Sequence, residues 1–112
     1  MKSTVEPVEG NKVKLSIEVD SKAFEQEVDA AFKRIAREVR IPGFRPGKAP
    51  RRVLEARLGP DAARGQALQD AIPRYYSEAV REHDVDVIAA PEFDVTDGQE
   101  SGPVVFEATV EV

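Results

Sequence analysis

Val13, Leu15, Ile17 and Val19 alternate with Lys12, Lys14, Ser16, Glu18 and Asp20, a period of two that turns one face to a core and the other to water. The spacing predicts a strand. Thr4 to Val8 predicts a weaker one, moved toward a sheet edge by Pro7, with Gly10-Asn11 as the hairpin turn between them. Three-four spacing then takes over: Phe24, Val28, Ala31, Phe32, Ile35 and Val39 predict a helix capped by Asp20 or Ser21 and running to Arg40. Pro50 suits the first turn of a short second helix with Val53, Leu54 and Leu58 inward and Gly59-Pro60 as its stop.

A third helix is expected from about Asp61, burying Ala63, Ala67, Leu68, Ala71, Ile72, Tyr75, Tyr76, Ala79 and Val80. Pro73 lies inside it, and a proline ring removes a backbone bond and crowds the preceding turn, so a kink or break is expected there. Val85, Val87 and Ala89 start a strand that Pro91 limits and Phe93 and Val95 resume; Val104, Phe106, Ala108, Val110 and Val112 form the last. The order β-β-α-α-α-β-β implies an α+β fold: a mainly antiparallel four-stranded sheet with helices on one face and a loop between the first two helices.

At 112 residues the chain fits one domain, residues 1–112, with a core large enough to need no disulfide or metal staple. The last strand still alternates at Val112, which suggests a domain excised from a longer chain. There is no cysteine, so thiol nucleophiles, thiolate metal sites and disulfides are excluded. The N-terminus lacks a signal-peptide run and no apolar stretch is long enough to cross a bilayer, so the expectation is a soluble cytoplasmic protein with no membrane partner.

Between the first two helices lies Arg40-Ile41-Pro42-Gly43-Phe44-Arg45-Pro46-Gly47-Lys48-Ala49-Pro50. Proline fixes φ and disfavours helix before it while glycine opens positive φ, so neither helix nor ladder should pass through. An apolar ring beside a guanidinium on such a stiff loop suggests docking; the simpler alternative is that Phe44 folds back onto its own core. Charge favours docking. From Lys33 to Arg57 nine cations stand against two anions, a local balance of +7 that leaves −12 on the rest of a chain whose net charge is −5. An acidic protein has gathered its cations around one loop, the mark of an anionic partner met at a defined place. Helix polarity accounts for the bases late in the first helix. It does not account for Arg51 and Arg52, which lie near a helix N-terminus that disfavours them and so call for compensation from outside the chain.

Catalytic candidates are few. His83, the single histidine, falls near the end of the third helix where a polar tip is at home. No serine has a glycine-elbow context, and Gly43 with Gly47 makes no dinucleotide fingerprint. Glu25 and Asp29, at i and i+4, read as solvated surface, and Tyr75 and Tyr76 as core rather than as platforms for bases. No catalytic residue, metal ligand or cofactor is expected.

Gly43-Phe44-Arg45-Pro46-Gly47-Lys48-Ala49-Pro50 resembles the Gly-Phe-Arg-x-Gly-x-x-Pro signature of the trigger factor family, bacterial chaperones that wait at the polypeptide exit of the large ribosomal subunit. Val39-Arg40-Ile41-Pro42 and the element order fit as well, so the resemblance spans the chain as an N-terminal ribosome-binding domain. It implies that the family's peptidyl-prolyl isomerase and C-terminal arm domains lie beyond Val112, and that this fragment is not an enzyme. It further implies a ribosome-binding loop of Gly43, Phe44, Arg45, Pro46, Gly47, Lys48 and Pro50. Phe44 would insert beside a ribosomal protein at the tunnel exit and Arg45 would pair with an acidic side chain. Arg37, Arg40, Arg51 and Arg52, with Lys48, would meet phosphates of the adjacent ribosomal RNA. Pro46 stands where many members carry a second cation, which shifts that burden to Lys48. Nascent polypeptides are the other implied partner, with a role in folding and export, and the free domain is expected to self-associate weakly at most. The alternative is a general RNA-binding domain indifferent to Phe44.

Overall fold

A computed structural model describes residues 1–59, 61–99 and 101–112. The elements are β1 (Lys2–Val8), β2 (Lys12–Val19), α1 (Ser21–Glu38), α2 (Arg51–Leu58), α3 (Ala62–Glu82), β3 (Glu92–Asp97) and β4 (Val104–Glu111). The strands form one antiparallel sheet in the order β1-β2-β4-β3. The α+β architecture, with helices on one face of a four-stranded antiparallel sheet, is as the sequence predicts.

Alternation decides which face is covered. Leu15, Ile17 and Val19 of β2 and Val104, Phe106, Ala108 and Val110 of β4 are all buried, and the register sets Leu15 opposite Ala108, Ile17 opposite Phe106 and Val19 opposite Val104. These cross-strand neighbours form one apolar sheet face. The other face is polar: Lys14 reaches Glu6 at 3.2 Å and Glu107 at 3.7 Å on the two flanking strands. Those acids raise the lysine pKa, the hydrogen bond the lysine donates to Glu6 most of all and the Glu107 charge next. Pro7 is tolerated because β1 is an edge strand, where a missing N–H breaks no ladder.

The helices cover the apolar face through a matching stripe. Phe24, Val28, Ala31, Phe32 and Ala36 of α1 are buried with Ala63, Ala67, Ala71, Ile72, Tyr75 and Ala79 of α3. The run of alanines on α3 lets it lie close to its neighbours, while Phe24 and Phe106 supply the largest core volumes. Asp20 caps α1, its carboxylate accepting from the Ala23 N–H at 2.7 Å.

Four expectations are corrected. No break occurs at Pro73: α3 is continuous from Ala62 to Glu82. Gln69 and Pro73 are both exposed, so the carbonyl that loses its usual donor is on the wet side of the helix. Residues 85–90 do not form a strand. The ladder starts after Pro91, which has no N–H to give; Val85 and Val87 lean half-buried on the core and Ile88 is exposed. Leu58 is exposed rather than inward, leaving Leu54 as the buried anchor of α2. Finally α1 stops at Glu38, because Val39 is extended and the chain heads into the loop. The anticipated stop at Gly59-Pro60 is described only as far as Gly59, the C-cap of α2; Pro60 lies outside the described residues.

The domain measures 56 × 24 × 19 Å, with a radius of gyration of 16.6 Å against about 13 Å for a compact chain of this length. At about 1.5 Å per residue the 18 residues of α1 span roughly 27 Å before residues 39–50 begin. Among the described residues no helix is long and apolar enough to cross a membrane.

Candidate docking loop

Residues 39–50 leave α1 and return to α2 with no regular element, as their prolines and glycines predict. The loop is nonetheless held at defined points. Ile41 is buried and anchors its first half in the core. The Phe44 N–H donates to the Ile41 carbonyl at 3.1 Å and the Lys48 N–H to the Arg45 carbonyl at 2.9 Å, two successive turns. The Gly47 N–H donates at 2.8 Å to the carbonyl of Ala36, one of the groups that the last turn of α1 leaves without a helical partner. Gly43 and Gly47 take φ of 88° and 82°, values that favour glycine.

This bracing presents Phe44. Its ring is 40% exposed at the loop tip, so the alternative in which it folds onto the core is not realised; Ile41 fills that place instead. Gly43, Arg45, Pro46, Gly47, Lys48 and Pro50 are exposed around it. A cleft of about 420 Å³ runs beside the ring, lined by Arg37, Glu38, Val39, Arg40, Phe44, Arg45 and Pro46. Of the sequence-predicted residues, Phe44, Arg45 and Pro46 of the loop and Arg37 and Arg40 among the phosphate contacts therefore line one cleft, while Gly47 lines another. Arg52 follows on the exposed side of α2.

Of the nine cations from Lys33 to Arg57, seven are exposed with no carboxylate in salt-bridge range among the described residues; the exceptions are Arg34, paired with Asp70, and Arg51. Arg51 corrects an expectation. Its compensation comes from inside the chain: one terminal nitrogen donates to both Glu25 and Asp29 of α1, Nε donates to Glu55 at 3.1 Å, and the guanidinium lies 4.7 Å over the Phe32 ring. Partial burial works against the charge, but hydrogen bonds donated to Glu25, Glu55 and Asp29 outweigh it and raise the pKa. Glu25 and Asp29 are thus the holders of this arginine rather than idle surface. Their i, i+4 spacing on the helix before an N-terminal arginine pair was the available signal, though it does not say which arginine they would hold.

The remaining candidates serve the fold. His83 caps α3, its Nε2 lying 2.9 Å from the Ser3 hydroxyl, and so ties the helix end to the edge strand β1. Tyr75 is buried; its phenol pKa is raised by burial first and the Glu27 charge second. Tyr76 is raised by burial alone and meets Phe93 edge to face at 5.3 Å. Arg64 went unnoticed in the sequence: it is buried, lies 4.8 Å over Phe24, and gives Nε and a terminal N–H to the Gly98 carbonyl at 2.9 and 2.6 Å, with a further bond to Gly102 at 2.8 Å. Among the described residues no three His, Cys, Asp or Glu side chains gather to hold a metal.

Taken together, the sheet, the projecting helix pair and the braced cationic loop define a small α+β domain that presents a recognition loop. The model of the bacterial trigger factor protein's N-terminal region matches residues 1–112, and the chain belongs to that family. It is 42% identical to the trigger factor of Natranaerobius thermophilus and 46% identical to that of Mycolicibacterium vanbaalenii, in both cases over its whole length and 25% and 24% of theirs. The chain thus spans about a quarter of the length of the curated relatives it matches. A solved structure reported for promiscuous substrate recognition in the folding and assembly activities of the trigger factor chaperone is similar with a TM-score of 0.72 and 26% identity, over 96% of this chain and 26% of that one.

Proposed function

We propose that this domain docks a nascent-chain chaperone onto the large ribosomal subunit at the polypeptide exit, in the bacterial cytoplasm, through Gly43 to Pro50. The observation that supports this reading is the exposed Phe44 ring on a loop pinned to the end of α1, set among cations that no carboxylate of the described residues neutralises. Exposing that apolar surface is unfavourable unless a partner covers it, and burying the exposed 40% recovers about 1 kcal/mol. Phe44 is the apolar anchor and Arg45 the fork for a carboxylate on a ribosomal protein. Arg37, Arg40, Lys48 and Arg52 face ribosomal RNA phosphates, adding attraction that is screened by salt and indifferent to sequence. Arg51 is left out of that set because its Nε and one terminal nitrogen are engaged by carboxylates of its own chain.

An interface built on one loop is smaller than the roughly 1,600 Å² of a standard complex, and the expected affinity is about micromolar. Such binding releases readily, which suits a factor that leaves as the chain elongates. Nascent polypeptides are the cargo, and any prolyl-isomerase chemistry of the family falls outside residues 1–112. Cosedimentation with ribosomes tests the proposal: Phe44→Ala and Arg45→Glu should each lower the bound fraction at fixed salt. If both pellet as well as the unaltered protein, the docking role is wrong; if only the charge reversal matters, the domain is a general RNA binder.

A further inference from the structure

Resting on that docking role, we propose that Arg51 is a positioning residue for the loop, a clasp that joins the two helices on either side of it. α1 delivers the chain into residues 39–50 and α2 receives it, so the separation of these helices sets the loop's span and tilt. Their direct packing is thin: α2 contributes one buried side chain, Leu54, and between the helices lies a cleft of about 310 Å³ lined in part by Phe32, Ala36, Gly47, Ala49 and Leu54. Arg51 bridges the same cleft. Its fork takes Glu25 and Asp29 on α1, its Nε takes Glu55 on α2, and its plane covers Phe32.

The position makes sense only with these partners. Arg51 is the first residue of α2, and its N-cap, Pro50, makes no side-chain capping bond, so the helix dipole opposes a cation there. Three carboxylates and an aromatic face reverse the balance locally. They engage Nε and one terminal nitrogen from two helices at once, which a lysine could not match with a single ammonium. The adjacent Arg52, exposed and without a carboxylate partner among the described residues, remains available to an anion. Two neighbouring arginines of one basic run thus do different work: one shapes the loop, the other meets the partner.

The decisive variant leaves Arg51 in place and removes its holders. Glu25→Gln with Asp29→Asn makes the protein more positive by two charges, so if Arg51 were a phosphate ligand, ribosome binding would tighten. The clasp predicts the opposite: Kd rises about tenfold, and the amides of Gly43 to Lys48 exchange faster with solvent in the free protein. Arg51→Gln should weaken docking similarly while the slope of log affinity against log salt stays unchanged, and Arg51→Lys should restore only part. Tighter binding in the double variant, or a slope smaller by roughly 0.7 to 0.9 in Arg51→Gln, overturns the proposal. Phe44→Ala, run alongside, separates the two ideas. If it leaves docking intact while Arg45→Glu does not, the Phe44-anchored docking role gives way to general RNA binding, and the exchange rates in the free protein still decide for or against the clasp.

Discussion

Two turns of this domain use the same materials to opposite ends. The turn between β3 and β4 and the loop between α1 and α2 both contain glycines at positive φ, and both have an arginine close by. In the strand turn Arg64 points inward: it is buried, its Nε and one terminal nitrogen donate to the carbonyls of Gly98 and Gly102, and its plane rests on Phe24. In the helix loop Arg45 points outward and has no carboxylate partner among the described residues. Backbone pinning differs in the same sense. The helix loop is fixed from below by Ile41 and by the Gly47 to Ala36 bond, which leaves its upper surface unused. An arginine buried and bonded to its own chain stabilises the fold; one held out by a braced loop with no carboxylate partner among the described residues is, on the proposed reading, prepared for a partner.

The contrast breaks first at Arg64. Arg64→Leu leaves two carbonyls without their donor and removes the cover over Phe24, which should lower stability by about 3 kcal/mol in chemical denaturation. Molecules that remain folded should bind ribosomes as before. A loss of docking out of proportion to the folded fraction would show that the strand turn belongs to the interface. Phe44→Ala should give the mirror image: a change in stability within about 0.5 kcal/mol, as for an exposed position, but a loss of docking of about 2 kcal/mol, or roughly thirtyfold. Equal effects on stability and docking would erase the distinction between the two turns.

Alternation and three-four spacing made the sheet, the helices and their order legible, because burial on one face imposes a period that no other arrangement of these residues satisfies. The loop was legible for a different reason: prolines and glycines exclude regular structure locally, without help from tertiary contacts. What escaped depended on partners distant in sequence. Arg64 gives no local sign that it will meet Gly98, 34 residues on. Arg51 and Arg52 are indistinguishable as letters until α1 is laid beside α2. Ile41 looked like part of the presented loop, yet its burial is what lets Phe44 stay out. Pro73 does not break α3, because the cost of a helical proline depends on whether the freed carbonyl faces water, which propensity does not report.

A smaller effect separates the exposed cations from the clasped one. Arg52→Gln should reduce the magnitude of the salt slope of ribosome binding by roughly 0.7 to 0.9, the change expected for one phosphate contact, with no change in the exchange of loop amides. Titration of binding against potassium chloride measures it. An unchanged slope would place Arg52 outside the interface and confine the cationic surface to the loop and the end of α1.

Smallest of all is the effect expected at the tip. Pro46 is exposed, so Pro46→Lys adds a cation beside Arg45 without disturbing the core. The substitution also releases a restriction on φ, and that added freedom in the unbound loop costs about 0.4 to 1 kcal/mol of pre-organisation. One more phosphate contact offsets that at low salt and loses its value as counterions screen it. The variant should therefore bind up to about threefold tighter than the unaltered protein at low salt and slightly weaker at high salt, the two binding curves crossing within the titration. A variant tighter at every salt concentration would mean that Pro46 does nothing to hold the loop, and that the bracing from Ile41, Gly47 and Arg51 suffices without it.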